Sequence, residues 1–470
     1  PIHLMNRMRR ALWGCLLLVA LTLTPWTPAL GQSASGGSVQ SHFQGTITVR
    51  PDVDSTQNYA GFEVLVFNRA TATADADTLG YAVTDRQGRF AMDLVAPRRG
   101  LYPIVISRTG TVLKVDNMVV AQNDSSRLRV RVPIGDRPLG IRSPENAAWV
   151  AYQNTQAQYN QSLLELIQAQ TMTDSSMAAA VQQTASIYWN LYTTYPGTIG
   201  GALGGAEAIT LLAGWDDAQA VAYQQALDAD NPRLVDAVRA ARKAQARVAG
   251  QAAALALVEA AMAQTDDPVQ RAALQSEIVI AHMDSSDTAA AIAAAQTLQS
   301  LGQTGWDAWA TDALYELQNL MPGMIAPTFT ATTRAGTTLT LADLRGQEVL
   351  LEFYAPEDNS YRSERALRDS LVQAWAGRPL QVVSISMQPD TLLNEALFDE
   401  GTFPGAHIFD PLSFEGAPAR AFGVQRVPTR YLLDAEGRIV QKFIGSGTWG
   451  LIRDELEGPA PGPPDEAEEP

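Results

Sequence analysis

Val349-Leu350-Leu351-Glu352-Phe353-Tyr354-Ala355 runs into Pro356-Glu357-Asp358-Asn359-Ser360-Tyr361-Arg362-Ser363-Glu364. The first seven residues are a short apolar run with one carboxylate in it, the pattern of an interior strand. Pro356, Asp358 and Asn359 break the run, and a helical pattern follows from about Ser360 to Ala376. Further apolar runs continue the alternation. LQVVSIS, a helix near Leu392 to Phe398, AHIFD, TRYLLD, RIVQKFIG and a last helix from Gly450 to about Leu456 follow in order. Strand–helix–strand succession of this kind predicts an α/β sheet, here with one antiparallel hairpin at its end, over residues 321–457.

Upstream the pattern changes twice. Residues 143–320 are rich in Ala and Gln, with apolar positions three and four apart, as in Leu163, Leu164, Ile167 and in Val248, Ala252, Leu255, Val258. Ser143-Pro144-Glu145 reads as a helix start, and Asp-Pro or Pro-Gly breaks recur, so a central all-α region is expected, either a bundle or stacked helical hairpins. The Gly-rich stretch from Gly197 to Gly205 lacks the Lys-Ser/Thr of a phosphate loop and reads as close helix packing. Over residues 43–137 the runs are short and alternating, among them GTITVRP, GFEVLVFN and RLRVRVP, with Gly, Pro and Asp at the gaps. That is the pattern of an antiparallel β-sandwich, and Asp85-Arg86-Gln87-Gly88 marks one hairpin.

The 470 residues carry 34 Lys and Arg against 50 Asp and Glu, a net charge of −16. An acidic chain of 46% hydrophobic residues is expected to be a packed globular protein whose charge repels nucleic acid and anionic lipid, and no nucleic-acid partner is expected. Arg7, Arg9 and Arg10 precede the apolar run from Ala11 to Leu23, and small residues at Ala29 and Gly31 follow. Residues 1–31 thus read as a secretory signal peptide cleaved near Gly31 and Gln32, too short to span a membrane, with an uncleaved anchor as the alternative. The expectation is an exported protein of the periplasm or cell envelope, with no membrane insertion after cleavage. Residues 32–42 read as a linker, and the Pro-rich acidic stretch 458–470 as a disordered tail.

Cys15 is the single cysteine and lies inside the apolar run, where it only faintly suggests a lipidation site. The exported form has no thiol, no disulfide and a net charge of −19. His42, His282 and His407 are isolated in sequence, so neither a metal site nor a cofactor is expected.

The C-terminal segment resembles the exported bacterial thioredoxin-like proteins, a redoxin group that includes peroxiredoxin-related and cytochrome-maturation thioredoxins. The residues that carry the resemblance are Gly323 to Phe329 (GMIAPTF), Leu339 to Gly346 (LTLADLRG), Val349 to Ala355, Val427-Pro428-Thr429, and Leu433 to Val440 (LDAEGRIV). The sandwich segment resembles carboxypeptidase-regulatory-like domains through Thr84-Asp85-Arg86-Gln87-Gly88-Arg89-Phe90. The resemblance implies a multidomain α+β chain that ends in a thioredoxin-like α/β domain, with Pro428 in the place of the family's cis-proline.

The family also carries Cys-x-x-Cys at the mouth of the first helix, followed by Arg and then Glu. With Arg362 and Glu364 kept in register, Asp358 and Tyr361 stand at the two cysteine positions. Thiol–disulfide exchange needs two thiols, so no such activity is expected, and catalytic residues are absent by this reading. Asp358 is expected to cap the helix instead. A sharper alternative pairs it with Glu352 for non-redox acid/base chemistry. Another keeps an oxidoreductase role that depends on a partner's cysteines. The leading expectation is a non-enzymatic envelope protein that binds a protein or peptide in a groove edged by Tyr354, Pro356, Tyr361, Val427 and Pro428.

Overall fold

A computed structural model of the chain describes residues 38–68, 77–399 and 403–458. The signal segment and the acidic tail therefore lie outside the described residues. The chain divides into two compact units at residues 290 and 291.

The first unit opens with seven strands, β1 (Val39–Val49), β2 (Phe62–Asn68), β3 (Asp77–Val83), β4 (Arg89–Ala96), β5 (Gly100–Arg108), β6 (Thr111–Val120) and β7 (Ser125–Val132). They form two sheets, ordered β4-β1-β7 and β3-β2-β5-β6. The second sheet is antiparallel throughout, but β1 and β7 run parallel, a departure from the purely antiparallel expectation. Alternation builds the core: Phe43, Ile47, Val64, Val66, Leu94, Ile104 and Leu128 point inward and are buried. Gly88 takes φ 77° in the hairpin before β4, and a Cβ there would sit 2.0 Å from the Ile47 carbonyl oxygen.

Seven helices follow in this unit: α1 (Pro144–Gln168), α2 (Asp174–Thr194), α3 (Ile199–Leu212), α4 (Asp217–Gln225), α5 (Leu234–Ala249), α6 (Gln251–Gln264) and α7 (Pro268–Asp284). Ser143 caps α1, and Asn146 in its first turn is buried. The Asn146 amide accepts from the Val119 N–H (2.8 Å) and donates to the Val119 carbonyl (3.0 Å), which ties α1 to β6. The glycines of α3 permit close approach, as expected: a Cβ on Gly200 would lie 2.3 Å from the Ala148 backbone. The strong helix contacts run to the next helix or the one after it, the pattern of stacked hairpins.

The division between units falls within α8 (Thr288–Ser300), and α9 (Trp306–Asn319) belongs to the second unit. The Tyr315 hydroxyl of α9 donates to the Ala421 carbonyl (2.9 Å), and Lys442 pairs with Glu316 (2.8 Å). A small hairpin, β8 (Thr330–Thr332) and β9 (Thr338–Thr340), precedes a five-stranded sheet. Its elements are β10 (Glu348–Tyr354), α10 (Asn359–Ala374), β11 (Leu380–Ser386), α11 (Thr391–Asp399), β12 (Ala406–Phe409), α12 (Ala417–Ala421), β13 (Thr429–Leu433), β14 (Ile439–Ile444) and α13 (Trp449–Glu457). The strand order is β12-β11-β10-β13-β14, with β10, β11 and β12 parallel and β13 and β14 antiparallel. This is the thioredoxin-like α/β domain, with β10 at its centre and its apolar residues buried on both faces.

Candidate functional site

The central strand ends at Tyr354, and α10 begins at Asn359, so the loop between them lies at the C-terminal edge of the parallel strands. Binding sites of open α/β sheets occur there. Asp358 is the N-cap of α10, and its carboxylate accepts the Ser360 N–H at 2.7 Å. It does what a short acceptor at a helix start does: it satisfies an orphan donor and faces the positive end of the helix dipole. Arg362 turns back on the loop, its Nε donating to the Pro356 carbonyl at 3.0 Å.

Tyr361 faces inward. It is 1% exposed and stacks on Tyr354, itself fully buried, with ring centroids 4.5 Å apart. Phe403 completes the cluster, with Phe398 against it. The Tyr361 phenol oxygen is buried without a hydrogen-bond partner, and burial pushes both phenols above their ordinary range. Pro356 and Pro428 are buried as well, and Val427 is partly buried. The groove edged by Tyr354, Pro356, Tyr361, Val427 and Pro428 is therefore corrected: four of these side chains have gone into the core and Val427 is half-buried. The Val427–Pro428 bond is cis, as the resemblance implies. The N–H and carbonyl of Val427 make no backbone hydrogen bond among the described residues.

Glu352 is fully buried in mid-strand. Register sets His407, Ser384, Glu352 and Arg430 in one row across β12, β11, β10 and β13. Arg368, reaching from α10, donates Nε to Glu352 Oε2 at 2.8 Å, and Arg430 donates Nε to Oε1 at 3.1 Å. The Ser384 hydroxyl donates to Oε2 at 3.1 Å and accepts from Arg368 Nη2 at 2.8 Å. Arg430 also reaches Thr448 Oγ1 (2.8 Å) and Glu364 (3.4 Å), and lies 4.4 Å over the Trp449 ring.

Burial alone would raise the Glu352 carboxyl, but the two guanidinium groups outweigh it and hold the group down at about 2. Such a carboxylate carries no proton at neutral pH, and its oxygens are already taken. It shares no hydrogen-bond partner with Asp358, whose acceptor is spent on the helix cap. The acid/base pair of the two is thereby corrected.

Arg368, Arg430 and Ser384 were not singled out from the sequence. A signal was present: a carboxylate inside VLLEFYA must find cations when buried, and an arginine inside the apolar TRYLL is its reciprocal. His407 ends the same row, 6% exposed between the rings of Phe398 and Phe403. Burial, with Arg368 nearby, pushes the ring down to about 4. It is a packed, neutral histidine. Among the described residues no three His, Cys, Asp or Glu side chains cluster as a metal site, and no helix is long and apolar enough to cross a membrane.

Residues 322–442 match the AhpC/TSA family. The chain is 26% identical to the thioredoxin-like protein YneN of Bacillus subtilis (strain 168) over 159 residues, 33% of this chain and 91% of that protein. It is 25% identical to the thiol-disulfide oxidoreductase ResA of Bacillus anthracis over 143 residues, 30% of this chain and 78% of that protein. Among solved structures, a thiol-disulfide oxidoreductase from Bacteroides fragilis NCTC 9343 is similar at 21% identity. It has a TM-score of 0.26 and covers 28% of this chain and 98% of that one.

Proposed function

From a C-terminal domain of the AhpC/TSA redoxin type in which no cysteine occurs, we propose that the chain is an exported, redox-silent binding protein. The observation that carries this reading is the fate of the two positions where the resemblance places thiols. One is a helix cap and the other a buried ring, so neither can form or break a sulfur–sulfur bond. Cys15, the single cysteine, falls in the apolar run ahead of the described residues.

Export is supported by the three arginines, the apolar run and the small residues before Gln32. Binding is supported by the free N–H and carbonyl of Val427, flanked by the exposed Gln425 and Arg426. An extended peptide would pair with that backbone as an added strand residue does. With its edging side chains buried, such a groove takes peptides through main-chain bonds and discriminates weakly among sequences. Asp358 and the exposed Glu357 nearby disfavour acidic ones.

The test is an insulin-reduction assay on residues 32–470 with dithiothreitol, beside amide-shift titration with extended cationic peptides. No reduction above the dithiothreitol blank and shifts centred on Val427 are expected. Reduction above the blank overturns redox silence, and an unperturbed Val427 region overturns the groove.

A further inference from the structure

The β-sandwich carries positive charge that its own fold does not use. Alternation in Arg127-Leu128-Arg129-Val130-Arg131-Val132 sends Leu128 into the core and leaves Arg127, Arg129 and Arg131 exposed on the outer face of the three-stranded sheet. Register places Gln44, Thr46 and Thr48 of β1 beside them, and Arg89 of β4 beyond Thr46. On the other flank Arg142 forms an antiparallel bridge to Arg127, their backbones exchanging hydrogen bonds of 3.0 and 2.7 Å. Neighbours along a strand face are about 7 Å apart and adjacent strands about 5 Å. The backbone positions of the five arginines thus share one sheet face of roughly 14 by 14 Å.

Only Arg89 is neutralised, by Asp85 at 2.8 Å; among the described residues Arg127, Arg129, Arg131 and Arg142 are in no ion pair. Like charges directly opposite across strands destabilise a sheet. One or two charges suffice to protect a strand edge from unwanted pairing, and this face has five. Residues 38–142 hold thirteen Lys and Arg against ten Asp and Glu, in a chain whose net charge is −16. The positive charge is therefore local to this domain.

We propose that this face docks on the phosphate groups of an anionic phospholipid surface. Guanidinium groups bind phosphate in a bidentate fork and are lightly hydrated, which suits them to that contact. A two-dimensional array matches a layer of headgroups better than a thread. No exposed Phe, Tyr or Trp stands among the five arginines to stack bases, which argues against single-stranded nucleic acid. The sandwich is also the first folded domain after the apolar run, Val39 following Leu23 by sixteen residues. The inference uses the export reading only to bring a membrane within reach, and the vesicle experiment stands apart from it.

Residues 32–470, which lack the apolar run, are floated with phosphatidylglycerol–phosphatidylcholine vesicles and with phosphatidylcholine alone, at low and at physiological salt. Retention on the anionic vesicles that weakens with salt is expected, with none on the neutral ones. Arg127→Gln/Arg129→Gln/Arg131→Gln should lose about 100-fold in partition, roughly fivefold per arginine. The single variant Arg129→Gln, with about fivefold loss, serves if the triple variant does not fold. Arg334→Gln/Arg438→Gln/Arg453→Gln, an equal charge change on the other unit, should bind as the parent does. Equal retention on both vesicle types, no retention, or an equal loss in the second triple variant overturns the proposal. So does binding to polyphosphate or an oligonucleotide without binding to vesicles.

Discussion

Replacing Glu352 by Gln keeps its shape and removes its charge, leaving Arg368 and Arg430 buried beside a neutral amide. The carboxyl is held at about 2 in the fold against 4.5 in a model peptide. A difference of that size corresponds to about 3 kcal/mol. Breaking a buried pair from one side typically costs about 3–5 kcal/mol, and the two figures agree. The lower one is expected, because Arg368 keeps Asp369 and Ser384, and Arg430 keeps Glu364 and Thr448. The sign follows from a depressed carboxylate: its contribution is full above the unfolded value of 4.5 and is lost as pH falls towards about 2. The gap between parent and Glu352→Gln should shrink from about 3 kcal/mol at pH 7 to about 1.5 at pH 3. His407 titrates in the acid range too and feels the Glu352 charge, so the comparison is repeated in a His407→Phe background, where the same narrowing is expected. Calorimetry suits the test, since the sandwich-and-helix unit is an internal control. At pH 7 the second unit's transition should fall by roughly 6–12 °C while the first stays in place. A gap under about 1 kcal/mol at pH 7, or one that does not narrow at pH 3, would refute the claim that the two arginines hold this carboxylate ionised.

Tyr361→Ala removes a buried ring and should cost about 3–5 kcal/mol in urea unfolding, whereas Tyr361→Phe should be neutral or slightly stabilising because its hydroxyl has no partner. Asp358→Ala should cost about 0.5–2 kcal/mol and Asp358→Asn less than half of that, both read from the same unfolding curves. Asn146→Ala strands the N–H and carbonyl of Val119 and should lower only the first unit's calorimetric transition, by about 2 kcal/mol or more in stability.

Sequence and structure agree where periodicity does the work. Apolar runs of five to seven residues between helical patterns became β10, β11 and β13, and alternation in RLRVRV became β7 with its arginines outward. What periodicity does not encode is which strands are neighbours. The parallel pairing of β1 with β7 depends on a connection through five other strands. The row of His407, Ser384, Glu352 and Arg430 depends on registers across four. The helix cap at Asp358 was legible because a cap is a local device. The burial of Tyr354 and Tyr361 was not, since a tyrosine at a loop edge reads equally as surface contact or as filling. Here the rings of Phe403 and Phe398, some forty residues downstream, decide it.

The three groups that chemistry would need at this site are each committed to stability. A nucleophile at a helix start profits from unpaired N–H groups and positive potential. Asp358 spends that advantage on the Ser360 N–H. A general acid needs a proton near neutral pH, and Glu352 is held far below it by two cations. A side chain that grips a substrate must be exposed, and Tyr361 is 1% exposed. The helix cap is worth about 0.5–2 kcal/mol and the aromatic fill about 3–5 kcal/mol, large fractions of the 5–15 kcal/mol that separates a typical folded domain from its unfolded chain. A thiol at either position would forfeit part of that sum before any disulfide forms. A four-residue loop closed by a disulfide returns only about 2 kcal/mol. At this edge the N–H and carbonyl of Val427 keep no backbone hydrogen-bond partner among the described residues, and the proposed main-chain binding would use them.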